Sequence, residues 1–342
     1  MFSKIRGNFI WLFSISCVVV GILIALVSLL AVGFDTNRLN TDGEWIEQTL
    51  VQNLGEIREI NIDVRNVGIE VRPSEGDEIV IRYHENNRTT FTETVTANQV
   101  SLVQDRNGGI FRWFRLININ LTARSGVVVE IPEEAVLSGS FRTTNGRVEI
   151  SGLTFEELQA RSSNGQIRLE GIDVNGETNV RTTNAMISVS DVSLDSDAEL
   201  ETSNGRIYIS QVSLGGHMNM KTSNGNINLS GVDSDGDIVG ETSNGRVELT
   251  NVTAAGDLEI GSSNGNITFE NTAFNNGEIV TTNGRVIVNG LQDYEDYQFV
   301  TRTSNGSTDI GEVRLGSGSN TFGSGERLFE IRTSNGNIEV NF

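Results

Sequence analysis

The residues able to do chemistry are few and far apart. The chain of 342 residues has two histidines, His84 and His217, and one cysteine, Cys17. They form no Ser-His-Asp or Cys-His arrangement and no Cys-based metal set. A single cysteine also rules out an intramolecular disulfide framework. Asp233, Asp235 and Asp237 match the opening of a calcium loop, in which alternate acids supply oxygen ligands. That loop needs Gly at its sixth position and Glu at its twelfth. Here those positions hold Ile238 and Asn244, so a solvated turn is the better reading. A β-helical polysaccharide lyase or hydrolase would need carboxylates or basic groups converging on one face. Glu149 and Arg168 would lie side by side in adjacent coils, but as ordinary surface charge. The Gly-rich segments carry no phosphate-loop pattern. No catalytic, metal or cofactor residue is assigned, and no cofactor is expected. The formal net charge of −20 argues against nucleic acid and anionic lipid as main partners.

What organises the chain is a tetrapeptide, Thr-Ser-Asn-Gly with small variations. It recurs ten times, at Asn145, Asn164, Asn184, Asn204, Asn224, Asn244, Asn264, Asn283, Asn305 and Asn335. Most spacings are 19 or 20 residues, and the last two are 22 and 30. A fixed period of this size is the signature of a repeat architecture. Three and five residues after each Asn stand aliphatic residues, as in Ile207 and Ile209 or Val247 and Leu249. Four before it the residue is mostly apolar, as at Phe141, Leu200 and Ile260. Alternation on both sides of the Asn predicts two short strands per repeat, each with one buried face.

Asn-Gly between alternating strands is also the strongest hairpin signal. Three features favour a stack of coils over a chain of hairpins. The two residues before each Asn are always Ser or Thr, which suits identical positions stacking at about 4.8 Å. Outward charges alternate along one column, Glu201, Lys221, Glu241. A meander would leave its apolar face uncovered, whereas a coil closes that face on itself. Arg142, Arg161 and Arg181 run against the pattern, since they would stack as like charges. A β-propeller would need a period near 40 residues. The expected fold is therefore all-β: a single-stranded β-solenoid with coils of about 20 residues, preceded by one transmembrane α-helix. Roughly ten regular coils would extend about 50 Å, stabilised mainly by nearest neighbours.

Residues 9–34 carry no charge and exceed the ~20 needed to span a bilayer. Lys4 and Arg6 precede them, and Asp35, Asp42 and Glu44 follow. By the positive-inside rule, residues 1–8 form a cytoplasmic tail, 9–34 a membrane anchor and 35–55 a tether, with everything beyond outside the membrane. Residues 56–135 read as an irregular N-terminal β region, in which 64–71 is a degenerate copy of the repeat. Residues 136–342 read as the regular array. Phe111, Arg112, Trp113, Phe114 and Arg115 combine aromatic and basic groups, which suits docking to a membrane interface or partner or, more simply, packing over the first coil. Residues 315–326 are a Gly/Ser-rich insertion. The chain stops at Phe342 directly after a strand, an open edge that invites self-association.

The run VVVEIPEEA (127–135), leading into FRTTNGRVEISGL (141–153) and the recurring SSNGQIRLEG and TSNGRVEL units, resembles the bacterial and archaeal "putative adhesin" family of unknown function with β-strand repeats. The resemblance covers about residues 57–342. It implies a cell-envelope β-solenoid, often with an N-terminal anchor, and brings no catalytic residues. Asn184-Ala185 departs from the Asn-Gly pattern, which implies a different corner geometry there. The expected function is a non-enzymatic adhesin or envelope scaffold that binds a surface protein or glycan. The alternatives are a regulatory component of an envelope-stress response and, less well supported, a carbohydrate-active β-helix enzyme.

Overall fold

The structure is a computed structural model that describes residues 18–22, 44–87, 89–105 and 126–342. The chain divides into two compact units. In the first (1–46 and 85–89), the described residues comprise a helical stretch at 18–22 and an isolated bridge between Asn86 and Thr89. The second holds 47–84 and 90–342 and is built from β-strands.

No helix among the described residues is long and apolar enough to cross a membrane. Only residues 18–22 of the uncharged run 9–34 are described, and they form a little over one helical turn. The single-pass topology read from that run, with a cytoplasmic N-terminus and the β region outside, is therefore not upheld: hydropathy and flanking charge favour a span, but the described residues contain no helix that makes one. Most of the anchor, the tail, Cys17 and the aromatic-basic run Phe111–Arg115 lie outside the described residues.

In the second unit the strands pair in parallel at the repeat period. Strand Ile187–Leu194 lies in register with Ile207–Leu214, placing Ile187 beside Ile207 and Val189 beside Ile209. The next steps bring Ile227, Val247, Ile267 and Val286 into the same column. The strands before each Asn stack likewise, with Ala198–Glu201 beside Met218–Lys221 and then Ile238–Thr242. Neighbouring copies are parallel, so Asn-Gly does not make hairpins. The inward columns are buried aliphatic residues, so each coil closes its apolar face and covers its neighbours'.

The order of coils departs from the order of the chain at both ends. Strand Glu59–Asp63 lies between Val136–Arg142 on one side and Gln99–Gln104 on the other. The degenerate copy around Asn66 is thus a true coil, second in the stack. At the other end, Arg327–Thr333 lies between Gly277–Thr281 and Tyr297–Ile310, and Ile338–Asn341 lies between Val286–Asn289 and residues 308–310. The last repeat fills a gap between the two that precede it. Its strand is paired on both sides, so the open edge expected at Phe342 is absent. Antiparallel strands close the stack instead. Phe91–Val95 and Glu78–Glu85 do so at one end, and Val313–Phe322, most of the Gly/Ser-rich insertion, at the other. At the first end Ile46–Asn53 pairs in turn with Glu78–Glu85.

Candidate functional site

The signature residues form three columns at one corner of the stack. In the first, each Asn donates its side-chain amide to the side-chain oxygen of the coil before it. Asn145 donates to Asn66 at 2.6 Å, Asn224 to Asn204 at 2.7 Å and Asn264 to Asn244 at 2.8 Å. The row runs unbroken from Asn66 through Asn145, Asn164, Asn184, Asn204, Asn224, Asn244, Asn264 and Asn283, then Asn335 and last Asn305. These side chains are exposed.

The second column is the buried hydroxyl two residues earlier. Thr222 accepts from the Gly225 N–H at 3.1 Å and donates to the Gly205 carbonyl of the preceding coil at 3.0 Å. Thr242 and Ser262 repeat the arrangement. One hydroxyl therefore satisfies a donor in its own corner and an acceptor in the preceding one, which explains Ser or Thr at every copy.

The third column is glycine, required here for space. The backbone at these glycines is not left-handed. A Cβ on Gly225 would lie 1.6 Å from the Gly205 carbonyl oxygen, and one on Gly165 1.6 Å from that of Gly146. At Ala185 the stack tolerates a methyl, but the amide-to-hydroxyl bond found at Gly165 and Gly205 is missing. Thr182 still donates to the Gly165 carbonyl at 3.1 Å, and Asn184 keeps its place in the row.

The left-handed residues stand elsewhere, seven positions after the Asn. Gly152, Gly171, Gly231 and Gly290 occupy that column with Asp191 at φ 55°, Gln211 at 54°, Asn251 at 53° and Asn271 at 54°. This second corner was missed in the sequence, although its Gly/Asn content is a usable signal. At a third corner, side-chain acceptors climb the stack. Asp197 accepts from the His217 N–H at 2.8 Å, His217 Nδ1 from the Asp237 N–H at 3.0 Å, and Asp237 from the Asp257 N–H at 2.8 Å. Burial pushes the Asp257 carboxyl up, but hydrogen bonds from the Asn276 backbone and the Asn275 and Asn276 amides outweigh it and hold it below the usual carboxylate value.

These corners absorb most of the groups singled out for chemistry. Asp237 is a stacking acceptor and does not converge with Asp233 and Asp235. Among the described residues no cluster of three or more His, Cys, Asp or Glu is arranged to hold a metal. His84 is half-buried, with Nδ1 unpartnered, and lies far along the chain from exposed His217. Glu149 and Arg168 are register partners, yet each pairs within its own coil, with Arg147 at 3.0 Å and Glu170 at 3.7 Å. The Glu201, Lys221, Glu241 column stacks as alternating charges, with Lys221 3.5 Å from Glu241. Glu130 receives Arg72 at 2.8 Å and Arg82 at 2.6 Å, and the Arg72 hydrogen bond is the main reason its carboxyl is held down. A surface depression of about 640 Å³ carries Glu75, Asp77, Glu133 and Glu134, all exposed, with no histidine, cysteine, lysine or arginine among its lining residues.

Three solved structures are similar to the chain at low identity. A "putative cell adhesion protein" from Clostridium sporogenes is 10% identical, with 87% of this chain and 99% of that one covered and a TM-score of 0.26. A "putative adhesin" from Bacteroides fragilis is 11% identical over 86% and 97%, with a TM-score of 0.36. A "putative lipid binding protein" from Parabacteroides distasonis is 10% identical over 85% and 96%, with a TM-score of 0.30. No curated protein matches the chain. The Toastrack DUF4097 family model matches residues 57–238 and 216–341. Stacked parallel coils, closed by antiparallel strands and covered almost end to end by that match, make this chain a member of the Toastrack DUF4097 family.

Proposed function

We propose that the chain is a non-enzymatic binding protein of the adhesin kind, which engages a protein or glycan through the repeated outer face of its stack. One observation carries the reading. The conserved-looking groups of each repeat are used to hold coils together, while the outward positions vary from coil to coil. At the outward position four residues after the Asn stand Arg168, Tyr208, Asn228 and Glu248, with Ser188 buried between Arg168 and Tyr208. A constant frame with a varied surface suits recognition of an extended partner, whereas catalysis needs acids, bases or nucleophiles converging on one substrate atom. The ladder spacing of about 4.8 Å sets the pitch at which such a partner would be read. The test is retention of glycans on an array and of proteins from a cell extract by the full-length chain. Specific retention of one ligand, lost on substitution of outward residues such as Tyr208 and Arg168, is expected. Absence of any retained ligand overturns the reading.

A further inference from the structure

The sheet face formed by the strands before each Asn has a charge pattern that complements itself. Its outward positions lie three and five residues before the Asn. In the first of these columns, Arg142, Arg161, Arg181, Glu201, Lys221 and Glu241 stack in register. Gly261 and Val280 follow, and then Arg332. Three arginines in register are unfavourable on an isolated sheet, because like charges directly opposite destabilise it. Arg181 is relieved by Glu199 and Glu201, but Arg161 has only the Asn179 amide at 3.5 Å. Arg142 and, further along the face, Glu259 have no ion-pair partner in their own chain among the described residues.

Gly261 is the second observation. It stands mid-strand, where Gly weakens a sheet and often marks the close approach of another group. Nothing local requires it: its φ is not left-handed, and an added Cβ would meet only Glu241 Cγ, at 4.0 Å. The missing side chain leaves a notch of about 130 Å³ walled by Val239, Val280 and Ile260 and rimmed by Glu241, Glu259 and Glu278. Apolar walls with an acidic rim suit the stem and head of an arginine.

We propose that this face docks on the same face of a second copy of the chain, the two stacks antiparallel, about a two-fold axis that runs along the strands between Glu201 and Lys221. The operation sets Glu201 against the second copy's Lys221 and Arg181 against its Glu241. It places Arg161 over the notch at Gly261, beside Glu259, and Arg142 over Val280, beside Glu278. Outside these rows Asp63 faces Arg332. In the neighbouring column Gln159 faces Glu259 and Asn179 faces Val239, so like charges never face each other directly. With the axis along the stack instead, each arginine would face itself. The axis also bisects the stack: twelve coils from 99–104 to 297–310 have six on each side. At about 4.8 Å per coil and about 13 Å of strand, each copy would offer about 750 Å², and the pair about 1,500 Å², the size of a standard specific interface.

The test is sedimentation equilibrium of the full-length chain at about 0.02 M and about 0.5 M salt, where exposed charges are respectively felt and screened. A dimer that weakens at the higher salt is expected. Arg161→Glu and Glu259→Arg should each weaken it by about tenfold or more, and the double variant should recover it, since charge pairs fix register and partner. Both side chains are exposed, so unchanged melting of each variant confirms that the fold is intact. A monomer at both salts, association that neither variant alters, or failure of the double variant to recover overturns the proposal. So does a monomeric chain that loses only its retention on heparin in Arg161→Glu, which would assign the arginine column to a polyanion. None of these outcomes bears on glycan or protein retention through the other faces.

Discussion

Asn305 donates its side-chain amide to Asn335 at 2.8 Å, although thirty residues separate them and Asn283 precedes both in the chain. Asn335 in turn donates to Asn283 at 2.7 Å. The final repeat is a wedge that completes the stack after its outer neighbour has been laid down. Phe329 anchors it, fully buried against Phe274, Tyr297 and Phe299.

Phe329→Ala should therefore cost about 3–5 kcal/mol locally. The loss should be confined to one end, because stability in such arrays passes between neighbours. Hydrogen exchange should show faster exchange in 277–341 and unchanged protection in 187–234. Uniform acceleration along the stack would contradict this.

Gly225→Ala tests whether the corner glycine is required for space. A Cβ there falls 1.6 Å from a carbonyl oxygen, so the corner must shift at that level. A destabilisation of about 3 kcal/mol or more in a denaturant titration is expected, at the upper end for single substitutions. A cost below about 1 kcal/mol would show that the backbone yields, as it does for the methyl of Ala185.

Thr222→Val removes a hydroxyl that serves two buried backbone groups, with little change in shape. Leaving the Gly225 N–H and the Gly205 carbonyl unpaired should cost about 2–4 kcal/mol. Thr222→Ser keeps the hydroxyl and should cost about 1 kcal/mol or less. A loss for Thr222→Ser as large as that for Thr222→Val would show that the two hydroxyl bonds are not the main contribution.

Thr308→Val should act in the opposite direction. Thr308 is fully buried where most other copies carry Val or Ile, and its hydroxyl has no partner. Replacing it with an isosteric apolar group should stabilise the chain by about 1–2 kcal/mol, raising the denaturation midpoint without changing the slope.

Asp257 makes the third corner sensitive to acid. Its folded pKa is depressed, so its contribution is fully present above the unfolded value of about 3.9 and fades as pH falls through the lower folded value. The stability difference between the wild type and Asp257→Leu should be largest near neutrality and shrink below about pH 4. A difference that stays constant down to pH 2 would assign the effect to packing.

Much of this architecture could be read from the chain. The strand pairs, their buried faces, the parallel stacking and the membership of the Asn66 segment all follow from a local pattern repeated often enough to be unambiguous. The swapped order at the ends does not, because it depends on how far 290–326 travels before returning, which no local pattern specifies. Asn-Gly also drew attention away from the real left-handed corner. Its usual meaning is positive φ, yet here Gly is needed for closeness, and Asp191 and Gln211 carry the unusual backbone. The charge complementarity of the strand face became visible only once register put Arg161 and Gly261 in one column.

The row of side-chain amides has a sense, like a line of arrows. Every arrow points toward Asn66, so turning one around would set hydrogen against hydrogen on one side and oxygen against oxygen on the other. An Asn→Asp change at any step takes the arrow away and interrupts the line at that step. The two extremities of the line are therefore unlike, Asn66 with its hydrogens outward and Asn305 with its oxygen, and a further unit could prolong it from either tip only in the same orientation.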